Sequence, residues 1–142
     1  MAQLFTDVMQ VIGSTGDNTV YTVPDTKTAV VNGARRTEIT GNTPTYIIKI
    51  EDTSSNLFYI TPPVTVVAYS TATIFDRPFV MGENEKLVVN SDAANQFDFF
   101  FAIMEKDRGS SSTYTNVMTS LTTTDPTTLY TVLDEKIAIL NS

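Results

Sequence analysis

Phe97-Asp98-Phe99-Phe100-Phe101-Ala102-Ile103-Met104 is the stretch on which the fold turns. Side chains of a strand alternate between faces, so Phe97, Phe99, Phe101 and Ile103 share one side. A helix would scatter the same four around its circumference. The opposite side carries Asp98, Phe100, Ala102 and Met104, and past Asp98 it is apolar as well. An antiparallel strand with one wet face has no such second apolar side. Phe100 and Met104 therefore call for a cover, supplied by a loop, by the C-terminal arm or by a neighbouring subunit.

Outward from that strand the signature recurs. Residues 46–51 (YIIKIE) place Tyr46, Ile48 and Ile50 on one face and Ile47, Lys49 and Glu51 on the other. Further strands are expected at 19–23, 27–40, 57–60, 64–69, 73–75, 78–81 and 86–90, with the quoted stretch extending to 105 and a bulge or bend at Gly33. Pro24-Asp25, Asp52–Asn56, Pro62-Pro63 and 82–85 (GENE) supply the turns. Threonine occupies 24 of 142 positions and, with Val, Ile, Phe and Tyr, favours pleated sheet. No stretch combines helical apolar spacing with caps at both ends. The expectation is an all-β protein whose residues 1–108 form an antiparallel, jelly-roll-like β-sandwich.

The remaining 109–142 read as an arm that copies the start of the chain. Shifted by 109 positions, residues 5–33 match 114–142 without a gap, and twelve of those 29 positions are identical. YTVPDTKTAVVN (21–32) meets YTVLDEKIAILN (130–141), and FTDVM (5–9) meets YTNVM (114–118). The polar stretch 106–112 (KDRGSSS) reads as the linker between the two. A few strands without the rest of a sandwich are marginal in water, since one apolar face and the edge hydrogen-bonding groups lack partners. Exposing Tyr130, Val132, Ile137, Ile139 and Leu140 would forfeit several kcal/mol at about 25 cal/mol per Å2. The arm is therefore expected to dock on its own domain or on a neighbouring copy by strand addition, unless the sequence is the front of a longer two-domain protein. The residues expected at the interface are Tyr130, Val132, Ile137, Ile139 and Leu140, with Phe100 and Met104 as receivers.

Composition narrows the chemistry. There is no cysteine and no histidine, which removes disulfides, thiolate and imidazole metal sites, and the Ser-His-Asp and Cys-His nucleophile systems. A net charge of −7 disfavours nucleic acid and anionic membrane surfaces as partners. No run approaches the roughly 20 apolar residues of a membrane span, and MAQLFTDVMQ (1–10) lacks the cationic start and apolar stretch of a cleaved leader. Glu83 and Glu85, and the oxygen-rich Asp52–Asn56, lack the spacing of a calcium loop and read as turns. Asp98 reads as a rim residue, and the tyrosines and phenylalanines chiefly as core. Catalytic, cofactor and metal residues are expected to be none, and the protein is not expected to be an enzyme.

The order YTVPDTKTAVVNGARRTEIT, TPTYIIKIED and PPVTVVAYSTATIFDRPFVMGENEKLVVNSDAANQFDFFFAIME resembles small virion structural proteins of tailed bacteriophages. The matching residues are 21–24, 63–66, 76–80, 82–88, 93–95 and Glu105, within a span of about 19–105. The resemblance implies an oligomeric β-sandwich of the virion, made in the host cytoplasm, that decorates or cements capsids. Its partners would be itself and other virion proteins such as the major capsid protein. A neck, tail or fibre subunit is the alternative within that class. A carbohydrate-binding sandwich using Tyr59 and Tyr69 for host-surface recognition is the alternative outside it.

Overall fold

A computed structural model describes residues 3–75 and 77–108, together with Met118, Thr128 and Thr131. The strands follow in chain order as β1 (Gln3–Val11), β2 (Gly16–Thr22), β3 (Lys27–Glu38), β4 (Thr45–Glu51), β5 (Leu57–Tyr59), β6 (Val64–Thr65), β7 (Thr71–Phe75), β8 (Phe79–Met81), β9 (Lys86–Ser91) and β10 (Phe97–Asp107). Among the described residues there is no helix. The strands form two antiparallel sheets, one ordered β1-β10-β3-β7 with β8 also on β3, the other β2-β9-β4-β5 with β6 also on β4.

Among the described residues, two strand positions are each split into two short strands. β8 pairs with β3 at Ala29–Val31, while β7 pairs with it over Ala34–Thr37. β5 meets Lys49–Glu51 of β4, and β6 meets Thr45 and Tyr46. Counting each split pair once leaves eight positions, arranged with the connectivity of a jelly roll. Prolines account for the breaks: Pro62-Pro63 lies between β5 and β6, and Pro78 between β7 and β8. Neither can donate to a ladder.

The alternation in β10 builds the core. Phe97, Phe99, Phe101 and Ile103 are all buried, as are Tyr46, Ile48 and Ile50 of β4 across the sandwich. Tyr46 sits edge-on to Phe97 and Phe99 at 5.7 and 5.4 Å between ring centres. Such pairs are worth about 0.5–1.5 kcal/mol beyond their burial. The expected irregularity at Gly33 is present: Ala102 pairs with Gly33 but Ile103 with Val31, so Asn32 is the extra residue of a bulge.

Two strand expectations are corrected. Residues 64–69 form a strand only at Val64–Thr65, because the Val66 side chain turns into the core and its N–H bonds Pro44 O at 3.0 Å. Tyr69 then takes a left-handed backbone (φ 52°), which no strand accommodates. β1 lies outside the set read from the sequence, and its exposed outer face explains why: Phe5, Met9 and Val11 face solvent with Asp7, so its apolar residues do not mark a buried side.

Glu38, at the end of β3, ties two loops together. Its carboxylate accepts the Thr40 hydroxyl at 2.5 Å and the backbone N–H groups of Thr40, Gly41 and Tyr69 at 2.8–2.9 Å. Burial by itself would raise its pKa; these donors outweigh it and draw the value down to about 2. Gly41 is required here. Its φ is +81°, and a Cβ would lie 2.5 Å from the Tyr69 ring.

Candidate assembly interface

The surface that the second apolar side of β10 calls for is the outer face of the β1-β10-β3 sheet. Phe100 is 38% exposed there, and Ala102 and Met104 are half-buried. β1 extends the face: Met9 lies directly across from Phe100, and Phe5 from Met104. On the other flank Met104 faces Val30, which in turn faces Val80 of β8. The result is an apolar band running from Phe5 and Met9, 73% and 77% exposed, across Phe100 and Met104 to Val30. Arg35 opposite Phe100 and Asp98 opposite Val11 supply its charged rim. Beside the bulge, Gly33, Arg35, Thr73, Phe100 and Ala102 line an open depression.

The band ends at the β1 edge. Among the described residues β1 pairs with β10 on one side only, and β2 pairs only with β9. Within the sheets of the described residues these two long strands leave their outer backbone groups unpaired, the geometry that lets another chain add a strand.

Ion pairs tie strands together within each sheet, away from the band. Lys49 Nζ meets Asp17 at 2.8 Å, Lys86 meets Glu51 at 2.7 Å, and Lys27 meets Asp107 at 2.8 Å. The Lys49 bond holds the Asp17 carboxyl below its usual range, against burial, with help from Asn90. Tyr21 Oη donates to Glu105 at 2.9 Å, linking the sheets at one end of the core. Burial first, and then that carboxylate, push the phenol well above its ordinary value.

Of the expected interface residues, Phe100 and Met104 are brought together on the outer face. Tyr130, Val132, Ile137, Ile139 and Leu140 lie outside the described residues. Met118 is described: it is half-buried and packs against the core, so at this residue the arm touches its own domain. Phe5 and Met9, the most exposed members of the band, were not singled out by the sequence reading as contact residues. The signal available for them was the repeat itself, which begins at Phe5 and so implies that the folding unit begins there too.

The acidic candidates are turn residues. Asp52 accepts the N–H groups of Ser54 and Asn56 at 2.9 and 2.8 Å, which closes its loop. Glu83 accepts Thr26 N–H at 3.0 Å and pairs with Arg108; those bonds, Thr26 foremost, lower its pKa. Glu85 accepts Gly82 N–H at 2.7 Å. Asp98 is exposed at the rim. Among the described residues no three acidic side chains are grouped to hold a metal ion, and no helix is long and apolar enough to cross a membrane. Tyr59 and Tyr69 are both exposed, with Lys49 Nζ 5.3 Å from the centre of the Tyr59 ring.

The described residues form an all-β jelly-roll sandwich with an apolar outer face that runs to the β1 edge. No family model matches the chain, and no curated protein matches it. Among solved structures it is similar to a protein of Bacillus endospore appendages, which form a novel family of disulfide-linked pili. Identity is 12%, with 75% of this chain and 87% of that chain covered and a TM-score of 0.45. This chain contains no cysteine.

Proposed function

We propose that this protein is a non-enzymatic structural subunit that assembles with copies of itself, of the capsid decoration or cement type in a tailed-phage virion. The observation that carries the assembly role is the apolar band of Phe5, Met9, Phe100 and Met104, which runs to an open strand edge. Fully burying a Phe or Met side chain contributes about 1.5–3 kcal/mol. One pairwise contact is thus weak against the cost of association, and several contacts closed by symmetry become strong. Main-chain pairing at the β1 and β2 edges would add direction to a contact that apolar burial leaves undirected. The assignment to a virion, with the major capsid protein as partner, rests on the resemblance of residues 19–105.

Light scattering tests the role. The full chain is expected to run as a multiple of 15.6 kDa, and a chain ending at Ser110 as a smaller species. If removal of the arm changes neither size nor melting temperature, the arm does not link subunits. Antibody labelling of purified phage particles tests the virion assignment, and particles without signal contradict it.

The exposure of Tyr59 and Tyr69 favours a second reading, in which the surface stacks sugars. Binding on a glycan array that is lost in Tyr69→Ala would support it.

A further inference from the structure

We propose that the outer face of the β1-β10-β3 sheet is one half of a two-fold contact, in which Asp7 of each copy meets Arg35 of the other at the depression beside Gly33. The proposal rests on the assembly role and names the contact that performs it.

Two charges on this face lack a partner. Lys27, Lys49, Lys86 and Arg108 are held in ion pairs, and Arg36 bonds Ser70. Arg35 is exposed on the outer side of β3 and forms no ion pair or hydrogen bond among the described residues. Asp7, exposed on the outer side of β1, forms none either. The two lie too far apart to meet within one chain. β10 stands between their strands, which are therefore about 10 Å apart. They also occupy successive rows, Asp7 opposite Ala102 and Arg35 opposite Phe100.

Gly33 supplies a second, independent observation. A glycine inside a strand weakens it, and it marks a backbone that needs it or a place where something approaches closely. Here the backbone does not need it. Its φ lies outside the left-handed region, and an added Cβ would meet nothing within 4 Å. The missing side chain leaves the open depression that Arg35, Phe100 and Ala102 also line. An apolar floor beside a free guanidinium suits a short carboxylate carried on an apolar strand. β1 is such a strand, with Asp7 between the exposed Phe5 and Met9.

The face is complementary to itself. Turning a second copy by 180° about an axis along β10, between the two faces, lays its β1 over β3 and its β3 over β1. Asp7 of that copy then stands over Gly33 with Arg35 one row away, and the reciprocal pair forms at the same time. Phe100 meets its own copy near the axis. Packed sheets cross at about 30°, which carries the two Asp98 residues apart at the rim. The face spans four strand positions and the nine residues of β1. At ordinary strand spacing that is roughly 20 by 30 Å, the footprint of a small specific interface. An acidic partner of another kind would answer Arg35 and repel Asp7, whereas a second copy answers both.

Sedimentation velocity over a concentration series on the full chain tests the pairing. The native protein is expected to form dimers or multiples of them. Asp7→Arg and Arg35→Asp are each expected to weaken self-association by more than about tenfold, because like charges then face each other. Mixing the two variants in equal amounts should restore it, as should both changes in one chain, since every contact again joins opposite charges. A folding defect would not be rescued by mixing. Gly33→Gln fills the depression and is expected to weaken association without lowering the melting temperature. The pairing is overturned, with the assembly role intact, if the single reversals associate as the native protein does or if the mixture stays apart. A native protein that is monomeric throughout the series overturns the assembly role and the pairing together.

Discussion

The two sides of the sandwich are built on opposite plans. On one side both sheets end in short, split strands, β5 with β6 and β7 with β8, interrupted at Pro62-Pro63 and Pro78. The loops there are locked, since Glu38 accepts hydrogen bonds from Thr40, Gly41 and Tyr69, and Glu38 N–H bonds Ser70 O at 2.9 Å. On the other side the sheets end in unbroken β1 and β2, with Phe5 and Met9 in solvent. Short strands and prolines are how natural sheets prevent unwanted edge pairing. Among the described residues that protection is present on one side and missing on the other, which suits the β1-β2 side to the assembly contact proposed above.

The contrast implies a ranking of mutational effects. Phe99→Ala strikes the core that both sides share and is expected to cost about 3–5 kcal/mol in chemical denaturation. Met9→Ala on the open side should stay within about 0.5 kcal/mol. A comparable loss at Met9 would mean that β1 is an integral part of the core and would remove the contrast.

Glu38→Ala comes next, because it orphans several donors on the locked side at once. Its pH dependence has a definite sign. The folded pKa is depressed to about 2, so the stabilisation is fully present above the unfolded carboxylate value near about 4.3 and is lost as pH falls through about 2. Thermal melts between those limits should show the native protein weakening and Glu38→Gln weakening less. Equal acid sensitivity in both would place the acid-labile group elsewhere.

Gly41→Ala is smaller, costing about 1 kcal/mol or more from the left-handed backbone and the clash with the Tyr69 ring. In a Tyr69→Ala background the clash is gone and the cost should fall; an unchanged cost would assign the whole effect to backbone strain. Smallest of all, Lys86→Gln, which breaks the pair with Glu51, should cost about 0–1 kcal/mol and less in high salt, because Lys86 is well exposed.

Much of this arrangement was legible in the sequence, for identifiable reasons. The alternating phenylalanines of β10 and the Tyr46-Ile48-Ile50 face of β4 face the core, and buried strand faces leave a period-two record. Gly33 flagged the bulge, and Pro62-Pro63 the break between β5 and β6. β1 was not legible, because an edge strand buries only half of one face and shows little alternation. Nor was the Glu38 lock: its donor Tyr69 N–H lies 31 residues away and belongs to the backbone, which has no side-chain signature. The outer band was half visible. Phe100 and Met104 could be read from β10, but Phe5 and Met9 join them only through the pairing of β1 with β10.

Sedimentation velocity on the native chain beside Phe5→Asp/Met9→Asp tests the open-side account most directly, with melting temperature measured on both. The account predicts an assembled native protein and a 15.6 kDa monomer for the double variant, at unchanged melting temperature. Identical sedimentation of the two proteins would contradict it.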